Sequence, residues 1–255
     1  PQPTARSPLG LRLEGRPNVA ATEAFRNGLV ERQDEGSQVA ALLVDARPGL
    51  RVVDFCAGAG GKTLALAGAM DNRGQVIACD VLEKRLERAG ERLRRAGAHN
   101  VTRRPLSSHR DPWVKRHKAG FDRVLVDAPC SGTGAWRRNP DARWRSEPAE
   151  IERLVALQAE ILESACRLVK PGGRLVYVTC SLLPEENDRQ VERFLAARPD
   201  FRTLPVATLW PQVLGGEAPA GVGETLTLRP ETHGTDGFFV AVLERAAEAA
   251  PESAA

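Results

Sequence analysis

Residues 51–63 read RVVDFCAGAGGKT. A short β-branched and aromatic run closes on Asp54, small residues follow, and a helical pattern continues through Met70. That order reads as strand, tight turn, helix. It repeats downstream. Residues 75–79 (QVIAC) make a strand that ends at Asp80, an amphipathic helix is expected over 83–96, and 100–103 is a short third strand. Residues 121–126 (FDRVLV) form a fourth strand that runs into Asp127-Ala128-Pro129-Cys130. A helix over 148–169 precedes a Gly172-Gly173 turn, and 174–179 (RLVYVT) is strand five. Pro184 opens another helix, with Glu185 and Glu186 near the positive end of its dipole. Residues 225–228 and 237–243 (GFFVAVL) read as two further strands. Strands alternating with helices predict a parallel, doubly wound α/β sheet, in which ligands bind at the carboxyl ends of the strands.

Working outward, residues 1–47 read as an N-terminal lead-in with helical extension. A short helix is expected at 22–29, and another over 37–46, capped by Ser37 and ended before Pro48-Gly49. Residues 48–245 form the α/β domain, and 246–255, rich in Ala, Glu, Pro and Ser, are expected to be a disordered tail. The chain begins with Pro, so a piece of something longer is expected.

The 255 residues suffice for one α/β domain, and 42% hydrophobic with 27% charged residues is a globular composition. No apolar run reaches the ~18 residues of a membrane span, and no signal-peptide pattern opens the chain. A net charge of +3 says little about partners. The cations are nearly all Arg, which suits RNA but equally reflects a GC-rich genome. Five cysteines (Cys56, Cys79, Cys130, Cys166, Cys180) lack metal-ligand spacing. Reduced thiols in the cytoplasm are therefore expected, and no metal.

The glycine loop has three readings. A phosphate loop needs Gly five positions before Gly61, where Cys56 stands, and a dinucleotide fingerprint needs Gly at Thr63. The third is the S-adenosylmethionine loop of class I methyltransferases, where small residues admit the cofactor and an acid after strand two, here Asp80, grips its ribose. A ribose-binding acid is shared with NAD enzymes, so the loop alone does not decide.

Cys130 and Cys180 follow strands four and five, which are neighbours in this fold, so both thiols should face one cleft. That placement suits methylation of cytosine carbon 5. A thiolate adding to C6 makes C5 nucleophilic and splits one hard step into easier ones. An ordinary thiol has a pKa of ~8.5, so the site must favour thiolate. Asp127 opposes this, and no compensating cation is identifiable from sequence. In the segment 136–145, Trp136 and Trp144 alternate with arginines; it reads either as an RNA contact around a flipped base or as a hydrophobic cover with solvated arginines.

The segments QDEGSQ (33–38), DFCAGAGGKT (54–63), DAPCSGTG (127–134), RRNP (137–140), KPGGRLVYVTCS (170–181), EEN (185–187) and DGFF (236–239) occur in order. In them the chain closely resembles the Sun/Fmu (ribosomal RNA small subunit methyltransferase B-like) family of RNA cytosine-5 methyltransferases, over residues 20–245. The resemblance implies a class I S-adenosylmethionine-dependent fold, Rossmann-like, with a seven-stranded sheet and one antiparallel strand. It implies Cys180 as nucleophile and Cys130 as the second cysteine that assists release; analogy to DNA cytosine-5 enzymes would exchange them. Asp127 would contact cofactor or cytosine. Cys56, Ala57, Gly58, Ala59, Gly60, Gly61 and Lys62 would form the cofactor loop, with Asp80 on the ribose and Arg85 near the adenosine. RNA is the implied partner, ribosomal before transfer RNA, and a monomer is expected. The chain departs from the family at Ala59, where Pro is common, and at residues 106–109, where an acid usually follows strand three; Asp111 lies farther along. The competing readings are a catalytically silent RNA-binding scaffold, which would have lost Cys180 or the loop, and a methyltransferase for a small molecule or protein, in which the paired cysteines would be coincidental.

Overall fold

The computed structural model describes residues 1–145 and 147–248; from residue 249 onward the expected tail lies outside the described residues. The sheet contains β1 (Arg51–Asp54), β2 (Gln75–Asp80), β3 (Val101–Pro105), β4 (Phe121–Asp127), β5 (Val169–Thr179), β6 (Phe201–Thr203), β7 (Thr225–Leu228) and β8 (Phe238–Arg245). The first five are parallel, in spatial order β3-β2-β1-β4-β5, and β8 pairs antiparallel with β5. The outer edge of β8 is shared: β7 pairs with its first half and β6 with its end, both antiparallel to it. The result is seven columns with one antiparallel strand, the last column split between two short strands.

Successive side chains on the central strands enter opposite cores, as the two-residue period of a strand buried on both faces requires. Val53, Val124, Val126, Leu175 and Tyr177 face one layer; Val52, Leu125, Val176 and Val178 face the other. The first layer is covered by α4 (Pro112–Arg116), α5 (Pro148–Ala165) and α6 (Asp188–Ala197), and the second by α1 (Glu35–Leu42), α2 (Gly61–Ala69) and α7 (Val206–Val213), with α3 (Glu83–Arg95) beside α2. Each fully buried Val or Leu stabilises the fold by roughly 1.5–3 kcal/mol.

Some expected boundaries are corrected. Helix α1 begins at Glu35 and ends at Leu42, and its cap is Asp34, whose side chain accepts from Gly36 N at 2.8 Å. Ser37 instead lies in the first turn and accepts from Gln33 Nε2. Helix α5 stops at Ala165, and a single 3-10 turn over Cys166–Leu168 leads directly into β5. The expected Gly172-Gly173 turn is a bulge inside that strand: Phe121 pairs with Val169, but Arg123 pairs with Arg174. Gly172 takes φ +72 within it. The Pro184 helix opens as a 3-10 turn over Pro184–Glu186 before α6. The N-terminal lead-in is tied to the domain. Arg6 Nη1 donates to His233 O at 2.9 Å, and Glu31 pairs with Arg92 and Arg95 of α3.

The chain steps outward from β1 to β2 and β3, then returns to place β4 on the other side of β1. This reversal opens a crevice at the carboxyl ends of β1 and β4. Every candidate group follows one of these strands or a neighbour.

Candidate active site

The loop after β1 is shaped by its glycines. Gly60 has φ +79, and a Cβ there would lie 2.7 Å from the Ala89 Cβ, so only Gly lets the loop pack on α3. Gly58 has φ +55 and open space where a Cβ would stand, which leaves its backbone approachable. Asp80 holds the loop from β2: one carboxylate oxygen accepts from Gly58 N and the other from Leu82 N, each at 2.8 Å. Arg92 donates to Ala59 O at 2.6 Å. Below the loop, Asp54 is fully buried, accepts from Thr63 Oγ1 at 2.7 Å, and leaves its second oxygen without a partner. Burial is the main cause that raises its pKa to about 7, against the Thr63 hydrogen bond. Burial, and then the charges of Asp54, Asp127 and Asp80, push the Cys56 thiol up, so it stays neutral.

The two strand-end cysteines meet. Cys130 Sγ lies 3.4 Å from Cys180 Sγ. The hydrogen bond between them is the leading cause of opposite shifts: Cys180 is lowered and Cys130 raised. These directions make Cys180 the more readily ionised of the two thiols. Burial opposes its ionisation, Asp127 opposes it too, and Lys62 favours it. Lys62 rises from the first turn of α2, donates to Asp127 at 2.7 Å, and sits over the Phe238 ring at 5.1 Å. It is the cation that sequence reading did not identify as the thiolate's support. Cys79 and Cys166 are buried, and burial raises both, Cys166 to about 12.

Beside Cys130 a cavity of about 220 Å³ opens, bounded by Ser131, Asn139, Ala142, Glu150 and Leu154. The arginine-tryptophan segment forms its rim and matches neither of its two readings throughout. Arg137 donates to Asp236 at 2.7 Å and to Asp34 at 3.0 Å, and Arg138 also pairs with Asp236. These arginines therefore join three sequence segments that lie far apart in the chain. Trp144, by contrast, is 83% exposed, with the Arg143 guanidinium 5.7 Å from its ring. Arg85 is exposed in the first turn of α3. Asp111 is committed locally: it accepts from Ser107 N, Ser107 Oγ and Trp113 N, which hold its carboxyl at a pKa of about 2. The sequence reading placed Glu186 only near a helix dipole, outside the site, and gave no role to Asn187 or Gln158. Gln158 left a signal, as a polar residue at i+4 from Leu154 on the buried stripe of α5.

A doubly wound sheet with a small-residue loop after β1, an acid closing that loop from β2, and reactive groups at the ends of β4 and β5 defines a class I methyltransferase. Residues 41–244 match the family model described as 16S rRNA methyltransferase RsmB/F, and the chain belongs to that family. It is 38% identical to the probable ribosomal RNA small subunit methyltransferase B of Synechocystis over 94% of its own length and 53% of the relative's. It is similar to the crystal structure of PH0851, with 38% identity and a TM-score of 0.82 over 91% of this chain and 50% of that one. It is also similar to NSun6 from Pyrococcus horikoshii with SFG, with 27% identity and a TM-score of 0.78 over 91% and 57%. The chain spans about half the length of the curated relatives it matches. No helix among the described residues is long and apolar enough to cross a membrane.

Proposed function

We propose that this chain is the catalytic part of an S-adenosylmethionine-dependent enzyme that methylates carbon 5 of a cytosine in RNA, ribosomal RNA before transfer RNA. The carrying observation is the thiol pair, 3.4 Å apart at the ends of two neighbouring strands, with Cys180 the more readily ionised member. Residues 48–245 are the catalytic unit and 1–47 its bound extension; the protein acts as a cytoplasmic monomer.

The cofactor's fit is supported by the open backbone at Gly58 and by the chemistry of the donors. One Asp80 oxygen spends a lone pair on Gly58 N of the loop and the other on Leu82 N, and each keeps another for a ribose hydroxyl. The loop from Cys56 to Lys62, with Asp80 and Asp127, would hold it, and Arg85 would lie by the adenosine. SFG in the NSun6 relative is an analogue of the same cofactor. When bound, the cofactor supplies an electrophilic methyl group.

The residues of the chain do the rest. Cys180 sulfur bonds to cytosine C6, and the ring electrons move to C5, which then accepts the methyl group. Water takes the C5 proton, the C5–H electron pair re-forms the C5–C6 double bond, and the C6–S pair leaves with Cys180. Cys130 assists this release. Asp127, held by Lys62, lines the ring position.

Trapping with 5-azacytidine-containing RNA tests the reading, because that ring has no C5 proton to lose. The expected adduct forms with the wild-type chain and Cys130→Ala and is absent in Cys180→Ala. An adduct lost only in Cys130→Ala reverses the two roles. No adduct despite demonstrated cofactor binding points to a different methyl acceptor or to a missing RNA-docking portion. Failure to bind the cofactor at all would favour the silent scaffold.

A further inference from the structure

Cys130 is gripped on both flanks by a buried polar cluster. Gln158 Nε2, from the middle of α5, donates to Pro129 O at 3.0 Å and to Glu186 Oε1 at 2.9 Å. Glu186 Oε1 also accepts from Ser131 N at 2.9 Å, and its Oε2 accepts from Ser131 Oγ. Its main-chain oxygen accepts from Tyr177 Oη at 2.7 Å, which ties the turn to β5. Glu186 and Gln158 are both 0% exposed. The donors to this carboxylate are all neutral, so its charge is not cancelled by a cation in contact with it. Leaving such a group in the interior is costly unless it is hydrogen-bonded, and here both oxygens accept, Oε1 from two donors and Oε2 from one.

The same cluster reaches the second cysteine. Ser131 Oγ lies 3.2 Å from Ser181 Oγ, so the residues following the two cysteines touch. Gly134 N donates to Cys180 O at 2.9 Å. Asn187, next to Glu186, accepts from Thr179 Oγ1 at 2.6 Å and donates to Ser181 O at 3.0 Å.

We infer that Glu186, which touches neither thiol, is a positioning residue: bound to Ser131, its carboxylate aims Cys130 at Cys180 and makes Cys130 the protonated member of the pair. The inference rests on the thiol chemistry proposed above and deepens it by saying what selects the nucleophile. Charge reaches the pair from several elements. Lys62 on α2 and Asp127 at the end of β4 face Cys180, and Arg138 of the rim segment lies within range of it. Cys130 faces Tyr177 of β5, Glu186, and, across the cavity, Glu150 of α5. The Glu186 charge acts on Cys130, the thiol whose neighbour it holds, and disfavours a thiolate there. A neutral group of the same shape would keep the grip and lose this bias.

Glu186→Gln is that group. Its oxygen can keep the bonds from Ser131 N and Gln158, while Ser131 Oγ turns to accept from the new amide. Site-resolved alkylation of the whole chain by iodoacetamide, followed by mass spectrometry across pH, reads the distribution of charge without any RNA. In the wild type Cys180 should be labelled in preference to Cys130 near neutral pH. In Glu186→Gln the Cys180:Cys130 ratio should fall on the order of tenfold, with little change in melting temperature, because a nearby charge acts unequally on two sites at different distances. Ser131→Ala keeps the carboxylate and one of its two links, and should lower the ratio several-fold in a folded chain. A merely structural role would lower stability and leave the ratio alone. An unchanged ratio in Ser131→Ala, or in folded Glu186→Gln, overturns the inference. A changed ratio without any 5-azacytidine adduct would keep the positioning role and remove the RNA chemistry. An adduct through Cys180 with an unchanged ratio would do the reverse.

Discussion

Replacing Lys62 by Met separates the two charges that flank Cys180. In the native site Lys62 favours the thiolate and Asp127 opposes it, while the two pair with each other at 2.7 Å. The variant removes the favourable charge and leaves the unfavourable one without its partner, so both changes raise the Cys180 pKa. A unit charge ~6 Å away at an effective dielectric of ~20 is worth about 3 kcal/mol, or roughly two pKa units. The Lys62 side chain is only 10% exposed, but Asp127 is 30% exposed, and solvent at the carboxylate screens part of that. A higher Cys180 pKa is expected, and with it labelling at neutral pH slowed by up to ~10–100-fold. Met keeps the aliphatic reach over Phe238, so packing should survive.

The assay is the pH dependence of iodoacetamide labelling at Cys180. Lys62→Met should move the profile to higher pH, and Asp127→Asn should move it to lower pH. The double variant should lie near the wild type, because both charges are gone, and the deviation from additivity measures their coupling. A Lys62→Met profile that overlays the wild type would refute the argument. So would slower labelling in Asp127→Asn, since that outcome requires Asp127 to support the thiolate.

Gly60→Ala should lose about 1–3 kcal/mol of stability in urea unfolding, from its φ of +79 and the 2.7 Å approach to Ala89. Gly58→Ala, in open space, should cost less stability but weaken cofactor binding in calorimetry, because the methyl enters the proposed cofactor path. Asp236→Ala leaves Arg137 and Arg138 without their shared acid; with the acid buried but both arginines partly exposed, a loss of about 1–3 kcal/mol is expected, read as a lower melting temperature. Asp54 binds its proton up to a pH of about 7 when folded but only to ~4 when unfolded, so stability should fall as pH rises through that window and level off above it. Asp54→Asn should flatten that slope in denaturant titrations at a series of pH values.

Most of the architecture was legible because the buried strands are short runs of Val, Leu and Ile that close on an acid or a cysteine. What escaped was structure too short or too mixed to show a period. β6 is three residues, FRT, and α7 carries Pro211 inside its eight residues, a residue that argues against a helix on local grounds. Tertiary burial of Leu209 and Trp210 overrides it. The α1 boundary failed for a different reason. Asp34 and Ser37 are both acceptable caps, and the choice is made by distant groups: Asp34 is also held by Arg137 and by Asp236 N, while Glu35 is held by Arg6. Sequence proximity carries no trace of either contact.

The site divides along the same line. Placement of the glycine loop, Asp80, Cys130 and Cys180 follows from topology, because each stands at a strand end and the strand order is fixed by the βαβ pattern. Ionisation does not follow from topology. Which cysteine carries the charge depends on a lysine 65 residues from its aspartate, and on a glutamate 55 residues from its serine. Their effects compete with burial within a few ångströms. The motif segments become interpretable only when these contacts are seen. RRNP and DGFF join QDEGSQ in the Arg137 cluster, and EEN supplies the buried acceptor for the Cys130 loop. The residues that most constrain the chemistry are therefore not all in contact with the reacting atoms. Some fix the distance between two thiols, and under the thiol chemistry proposed above that distance and the nearby charge together decide which sulfur attacks.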